Sequence, residues 1–172
     1  MMSGPNIDKK IKVRGVTVES GEFFLPGSDE TIVEFSDPPS WENGDFFAVS
    51  EPTRVTVPRK LKGRYLAHAV VHWSENMDGT FSTTFRDGSY FFSRIMKNGN
   101  TSNTPREART TAAPIATASM TPQRILWETN LRVGDYLELE ACWYVSDPAA
   151  RAEIAGLKLE AWLTLRRLGR SA

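Results

Sequence analysis

The sequence of 172 residues predicts a single all-β domain, built as an antiparallel sandwich or barrel. Turn signals recur at short spacing along the chain, among them Asn43-Gly44, Asp78-Gly79, Asn98-Gly99 and Gly134-Asp135. The runs between the turns are rich in β-branched and aromatic residues, and several alternate apolar with polar positions. Short alternating runs with regular turns are typical of strands that bury one face.

The N-terminal region is polar and basic, which predicts an arm over residues 1–20 and a folded domain over 21–172. Four cations precede any acidic cluster: Lys9, Lys10, Lys12 and Arg14. We expect a flexible or docking arm, with these four residues as its candidate docking residues.

The predicted strands follow in order, and their residues are 31–35, 54–57, 64–73, 89–99, 124–131 and 136–145. The run 64–73 is more apolar than the others and predicts a strand that is buried on both faces. Asn98-Gly99 is the strongest short signal for a hairpin. Residues 100–122 are rich in Thr, Ala and Ser, which predicts a long loop, with or without one short strand near 114–119.

The C-terminal segment 147–169 fits two templates. A helix would begin at Asp147-Pro148, but Gly156 interrupts its apolar stripe. With a period of two, the apolar positions from Leu157 to Leu165 all match. We therefore predict a strand from about 157 to 167, with or without one helical turn before it.

Composition excludes several classes of function. Lys+Arg and Asp+Glu both number 21, so the formal net charge is zero. This balance does not predict a basic surface for binding nucleic acid or anionic lipid. No run of about 18 apolar residues predicts a membrane span, and the N-terminus lacks the apolar core of a signal peptide. Cys142 is the single cysteine, so an intrachain disulfide is excluded, and we expect a reducing compartment.

Few residues suggest catalysis or metal binding. His68 and His72 are four apart on one strand, but no nearby motif supplies a third zinc ligand. Glu138 and Glu140 share a strand face, as paired acids of glycosidases can, although a solvated polar face is the simpler interpretation. No hydrolase or nucleotide-binding motif is present. We expect no enzyme activity, no cofactor and no metal.

Aromatic residues are the strongest signal, because eleven of them fall in predicted strands. We single out five as core or subunit-contact residues: Tyr65, Trp73, Phe91, Trp143 and Trp162. At neighbouring positions such as Trp143-Tyr144, one ring must face each side of the sheet. The second side then needs either a partner subunit or a ligand.

The order of these features resembles the jelly-roll domain of the complement-globular-head and tumour-necrosis-factor superfamily. The matching residues are Gly63-x-Tyr65 at the start of a long strand, Asn98-Gly99 in a hairpin, and Leu131-x-x-Gly134-Asp135 before an alternating strand. The resemblance covers about residues 45–169. It implies an antiparallel jelly-roll sandwich that forms a homotrimer.

Similar jelly rolls occur on bacteriophage virions, and the basic arm is similar to a docking segment of that kind. The resemblance therefore implies a structural protein of the virion, assembled in the host cytoplasm. It would be a trimeric capsid decoration or spike whose partner is the major capsid protein or another virion protein. The alternative is a tail-tip or fibre module that binds a host receptor or glycan.

Overall fold

Ten strands account for most of the residues that the computed structural model describes, which are 13–25, 30–36, 38–74, 90–100, 106–111, 122–144, 148–149 and 157–169. The strands are β1 (Gly15–Leu25), β2 (Thr31–Ile32), β3 (Trp41–Asn43), β4 (Arg54–Thr56), β5 (Gly63–Ser74), β6 (Tyr90–Lys97), β7 (Arg106–Thr111), β8 (Gln123–Leu131), β9 (Tyr136–Tyr144) and β10 (Leu157–Gly169).

The strands form two antiparallel sheets that face each other. One sheet has the order β3-β1-β10-β5-β8, and the other has the order β2-β9-β6-β7, with β4 also paired to β9. Every strand pair is antiparallel. A single apolar core draws residues from both sheets. The predicted all-β antiparallel jelly-roll sandwich is confirmed.

Alternation decides which side chains enter the core. In β10, Leu159, Ala161, Leu163 and Leu165 are fully buried, whereas the intervening residues are exposed or half-buried. The C-terminal segment is therefore the predicted strand, and it runs two residues beyond the predicted end at 167. Residues 148 and 149 before it are helical.

The predicted boundary of the N-terminal arm is wrong. Residues 15–20 belong to β1, which lies between β3 and β10 in the five-stranded sheet. Val16 and Val18 are fully buried, because their two-residue spacing places both side chains on the core face. Gly15 opens the strand where a Cβ would lie 2.1 Å from the Leu165 carbonyl oxygen. Residues 1–12 lie outside the described part of the chain.

Two further predictions about the strands need correction. Of the predicted strand 31–35, only Thr31–Ile32 pairs with β9, although Val33 and Phe35 are buried in the core. The strand 64–73 has only one fully buried face in the single chain, since Leu66 and Val70 on its other face stay half-buried. Within 100–122, residues 106–111 form β7, while the predicted strand position 114–119 lies outside the described residues.

Candidate functional site

The outward face of the five-stranded sheet carries apolar side chains that the single chain does not cover. The face consists of every second residue of four neighbouring strands: Thr17 and Glu19 in β1, Trp162, Thr164 and Arg166 in β10, Leu66, His68 and Val70 in β5, and Arg124 and Leu126 in β8. Leu126 is 63% exposed, the largest exposed fraction among the large apolar residues that the structure describes. Leu66, Val70 and Trp162 are half-buried around it.

Polar contacts hold the centre of this face in place. The Trp162 indole Nε1 donates to Glu19 Oε2 at 3.0 Å, and the Thr17 and Thr164 hydroxyls lie 3.1 Å apart. The His72 ring meets Trp162 edge-on, with 5.3 Å between ring centroids. Ordered aromatic and aliphatic side chains framed by polar groups are typical of subunit interfaces.

A shallow depression of about 200 Å³ lies on the same face. Its lining residues are Leu66, His68, Leu126, Thr164 and Arg166. A projecting Leu or aromatic side chain of another molecule could fill a depression of this size.

Four of the five predicted aromatic residues lie in the core instead of on this face. Tyr65, Trp73, Phe91 and Trp143 are each at most 4% exposed. The Tyr65 hydroxyl donates to the Leu61 carbonyl oxygen, and burial raises the Tyr65 pKa to about 12 although the nearby Arg167 acts to lower it. These four residues therefore stabilise the sandwich, and only Trp162 of the five lies on the outward face.

A buried glutamine that we did not single out from the sequence joins the two sheets. Gln123 of β8 is 3% exposed, and its Oε1 accepts hydrogen bonds from Trp73 Nε1 at 3.1 Å and from Ser93 Oγ at 2.7 Å. Its Nε2 donates to the Phe91 carbonyl oxygen at 2.9 Å. The one signal in the sequence that could have indicated this inward position is the spacing: Gln123 is the first residue of β8, and the apolar Ile125, two residues later, lies on the same face of the strand.

The Gly134-Asp135 turn is bonded to the Asn98-Gly99 turn at one end of the sandwich. Asp135 Oδ1 accepts from Asn98 Nδ2 at 3.0 Å, and Oδ2 accepts from the Arg132 amide at 2.8 Å and lies 2.9 Å from Lys97 Nζ. Burial acts to raise the Asp135 pKa, but these three partners outweigh it and lower the pKa. The turns tolerate this geometry because Gly99 and Gly134 have positive φ angles of 65° and 83°.

The two glutamates considered for catalysis, Glu138 and Glu140, each interact with an arginine side chain of the same protein. Glu140 Oε2 lies 2.5 Å from Arg94 Nε, and the Glu140 side chain is 7% exposed. Burial raises the pKa of Glu140 against the opposing effect of Arg94, and burial likewise raises the pKa of Glu138 against Arg54. A carboxylate held in a buried ion pair is a poor acid or base for an external substrate.

Among the described residues, neither the two histidines nor Arg14 of the predicted arm belongs to a metal or ligand site. His68 and His72 lie on the outward face, and no group of three or more His, Cys, Asp or Glu side chains that could hold a metal occurs among the described residues. Arg14 is exposed and donates from Nη1 to Asn43 Oδ1 at 2.7 Å. Lys9, Lys10 and Lys12 lie outside the described residues. Within the described ranges, no helix has the length and apolarity needed to cross a membrane.

Comparison with solved structures identifies the same fold in proteins of very different sequence. The globular domain of the zebrafish complement 1qA protein is 11% identical with a TM-score of 0.55, and the match covers 92% of this chain and 99% of that one. Murine APRIL at pH 5.0 is 14% identical with a TM-score of 0.52, covering 90% of this chain and 100% of that one. Murine APRIL at pH 8.0 is 15% identical with a TM-score of 0.50 and the same coverage.

The chain therefore has the jelly-roll fold of complement globular heads and tumour-necrosis-factor-like proteins, as its turn motifs predict. Identities of this size concern the fold alone. No family model matches the sequence. No curated protein matches it either.

Proposed function

We propose that this protein is a non-enzymatic structural module that forms a homotrimer through the outward face of its five-stranded sheet, and that the trimer decorates a bacteriophage virion. The single observation that supports the trimer is the group of apolar side chains that the outward face leaves uncovered, with Leu126 63% exposed. A sandwich needs only one buried face per sheet, and apolar side chains clustered on the other face normally meet a partner.

A second copy of the chain is the occupant that fits this face. It combines apolar side chains (Leu66, Val70, Leu126 and Trp162) with polar side chains and with residues of both charge signs, and Arg64 is bonded to Glu128 at 3.0 Å beside it. Closed symmetry lets each copy cover the face of a neighbour, and the fold resembles that of a trimeric superfamily. Burial of Leu126, Leu66 and Val70 between copies removes apolar area from water.

The trimer is tested by light scattering on a size-exclusion column. We expect about 58 kDa, three times the chain mass of 19.3 kDa. Leu126→Glu would place a carboxylate in the apolar interface and should yield the monomer mass. Val49→Glu is the matched control, because Val49 is 62% exposed but lies in the β3–β4 connection, off this face. A monomeric wild-type protein, or a Leu126→Glu variant that stays trimeric, would exclude this interface.

The position on a virion rests on the resemblance and on the basic residues before β1. Because β1 starts at Gly15, a deletion that tests the arm must stop at residue 12. We expect the protein without residues 1–12 to fold and trimerise but to lose its attachment to the capsid shell. Full-strength attachment of the truncated protein would show that Lys9, Lys10 and Lys12 are not the anchor.

A receptor- or glycan-binding module of the phage tail is the second candidate. The observation that favours it is an open, basic groove at one end of the sandwich. A binding assay with the isolated trimer separates the two candidate functions. A decoration protein binds assembled capsids, whereas a binding module binds cells or polysaccharide.

A further inference from the structure

One end of the sandwich concentrates positive charge in a chain whose net charge is zero. We call it the basic end, and it consists of Arg59, Lys60 and Lys62 in the β4–β5 connection, Lys97 at the end of β6, and Arg132 in the β8–β9 turn. Four of these side chains are exposed, and Lys97 is half-buried. Uneven placement of this kind creates a local positive potential that overall composition hides.

An open groove of about 800 Å³ runs through the basic end. Its lining residues are Lys62, Lys97, Asn98, Asn130, Leu131, Arg132, Val133 and Asp135. Asp135 is the one acidic lining residue, and its carboxylate is already bonded to Lys97, Asn98 and the Arg132 amide. Among the described residues, neither Lys62 nor Arg132 forms an ion pair, so both cations remain available to a ligand.

The backbone beneath these cations is fixed. Arg167 Nη2 donates to the Lys62 carbonyl oxygen at 2.8 Å, and the buried Tyr65 hydroxyl donates to the Leu61 carbonyl oxygen. The Val57 amide donates to the Asp135 carbonyl oxygen at 2.8 Å, which joins the β4–β5 connection to the β8–β9 turn. A site whose backbone is fixed before binding loses less conformational entropy when a ligand arrives.

A tight turn in the β4–β5 connection exposes one of these cations. Lys60 has a φ angle of 70°, in the left-handed region, and a hydrogen bond from the Leu61 amide to the Pro58 carbonyl oxygen at 3.2 Å closes the turn. The Lys60 side chain is exposed. The turn therefore holds Lys60 at the surface of the basic end.

The geometry points to the basic end as a binding site for an acidic polysaccharide, with Lys62 and Arg132 contacting its carboxylate, sulfate or phosphate groups. Asn130 lies beside them as an amide partner for sugar hydroxyls. Val133, which is 47% exposed, offers an apolar contact for the face of a sugar ring. Every residue of the site lies on one chain, so the site depends neither on the trimer nor on a virion.

A sugar polymer fits the basic end better than a nucleic acid does. Nucleic-acid binding normally needs a broad basic surface on a basic domain, whereas this chain has a sequence pI of about 6.7. The groove instead offers two unpaired cations, the Asn130 amide and one apolar side chain. That mixture matches a ligand with spaced charges and many hydroxyl groups.

Binding of the full chain to three immobilised polysaccharides tests the site: heparin as the sulfated probe, alginate as the carboxylated probe and dextran as the neutral probe, at about 150 mM NaCl. We expect binding to at least one acidic probe and none to dextran. The double variant Lys62→Gln/Arg132→Gln should bind about tenfold more weakly. Lys62→Arg/Arg132→Lys keeps both charges and should bind within about twofold of wild type.

The matched control is Lys158→Gln, which removes one positive charge at the start of β10, far from the basic end, and which is compared with Lys62→Gln alone. We expect its affinity to stay within about twofold of wild type. Three results would overturn the assignment: no binding to either acidic probe, an equal loss in the control, or binding of duplex DNA as tight as that of the polysaccharides. An unchanged melting temperature of each variant shows that the fold is intact.

Discussion

Replacement of Asp135 by asparagine tests whether the two turns hold one end of the sandwich together. The carboxylate accepts two hydrogen bonds and pairs with the Lys97 ammonium, whereas an asparagine has one acceptor oxygen and one NH2 donor. Whichever way the amide faces, at least one donor of Asn98, Arg132 or Lys97 then meets another donor.

The expected cost follows from these contacts. A lost hydrogen bond to a charged group costs about 1.5–3 kcal/mol, and the half-buried ion pair adds up to about 1 kcal/mol. We therefore expect Asp135→Asn to lower the free energy of unfolding by about 2–3 kcal/mol. For a chain of this size that corresponds to a fall in melting temperature of about 4–12 °C.

The pH dependence provides a second readout. Hydrogen bonds and Lys97 hold the folded-state pKa of Asp135 below its ordinary value in spite of burial. A depressed folded-state pKa stabilises the protein above the unfolded-state pKa of about 3.9, and this stability is lost as pH falls through the folded-state value. The difference between wild type and Asp135→Asn should therefore be full at neutral pH and vanish in acid.

Urea unfolding followed by tryptophan fluorescence measures both effects. Asp45→Asn is the control, since Asp45 is exposed and also sits in a turn with a positive φ of 55°. The reasoning is refuted if the two variants lose the same stability, or if the Asp135→Asn difference is constant from neutral to acid pH.

Two further predictions, each with a comparison variant, concern the packing of the two sheets. In urea unfolding, Glu140→Ala should lower the free energy of unfolding by about 3 kcal/mol, because the Arg94 guanidinium then keeps only the exposed Glu30 as a partner. The double variant Arg94→Met/Glu140→Leu should regain most of that loss, and a double variant no more stable than Glu140→Ala would contradict the prediction. Gly63→Ala should lower the free energy of unfolding by about 1–3 kcal/mol, since its Cβ would lie 2.1 Å from the Gly169 carbonyl oxygen. Gly169→Ala is the control, because a Cβ there meets nothing within 4 Å, and equal melting temperatures for the two variants would contradict the clash.

Alternation made most of the strands predictable. In β9 and β10 the period of two identifies the strand and also the inward residues. The phase further separates two tryptophans that composition alone treats alike: Trp143 is in phase with Leu139, whereas Trp162 is out of phase with Leu163. The outward position of Trp162 is therefore predictable from the sequence.

Other features could not be read from local pattern. The basic cluster before residue 15 masks the short Val16 and Val18 alternation, so β1 was mistaken for the end of an arm. Gln123 and Asp135 act through partners that lie far away in sequence, and only the paired sheets bring them together. The pattern of neighbouring residues does not predict contacts that depend on the register between strands far apart in the sequence.

The motifs that reveal the fold are poor guides to function, and the structure explains why. Gly63, Asn98-Gly99 and Gly134-Asp135 permit close approach, reverse the chain or bond the turns together, so their contacts serve the fold of this chain. The residues open to selection for a partner lie between those positions, as Leu126 and Lys62 do. A trimer interface on the sheet face and an acidic-glycan site at the basic end use different residues, so each can fail its test without affecting the other.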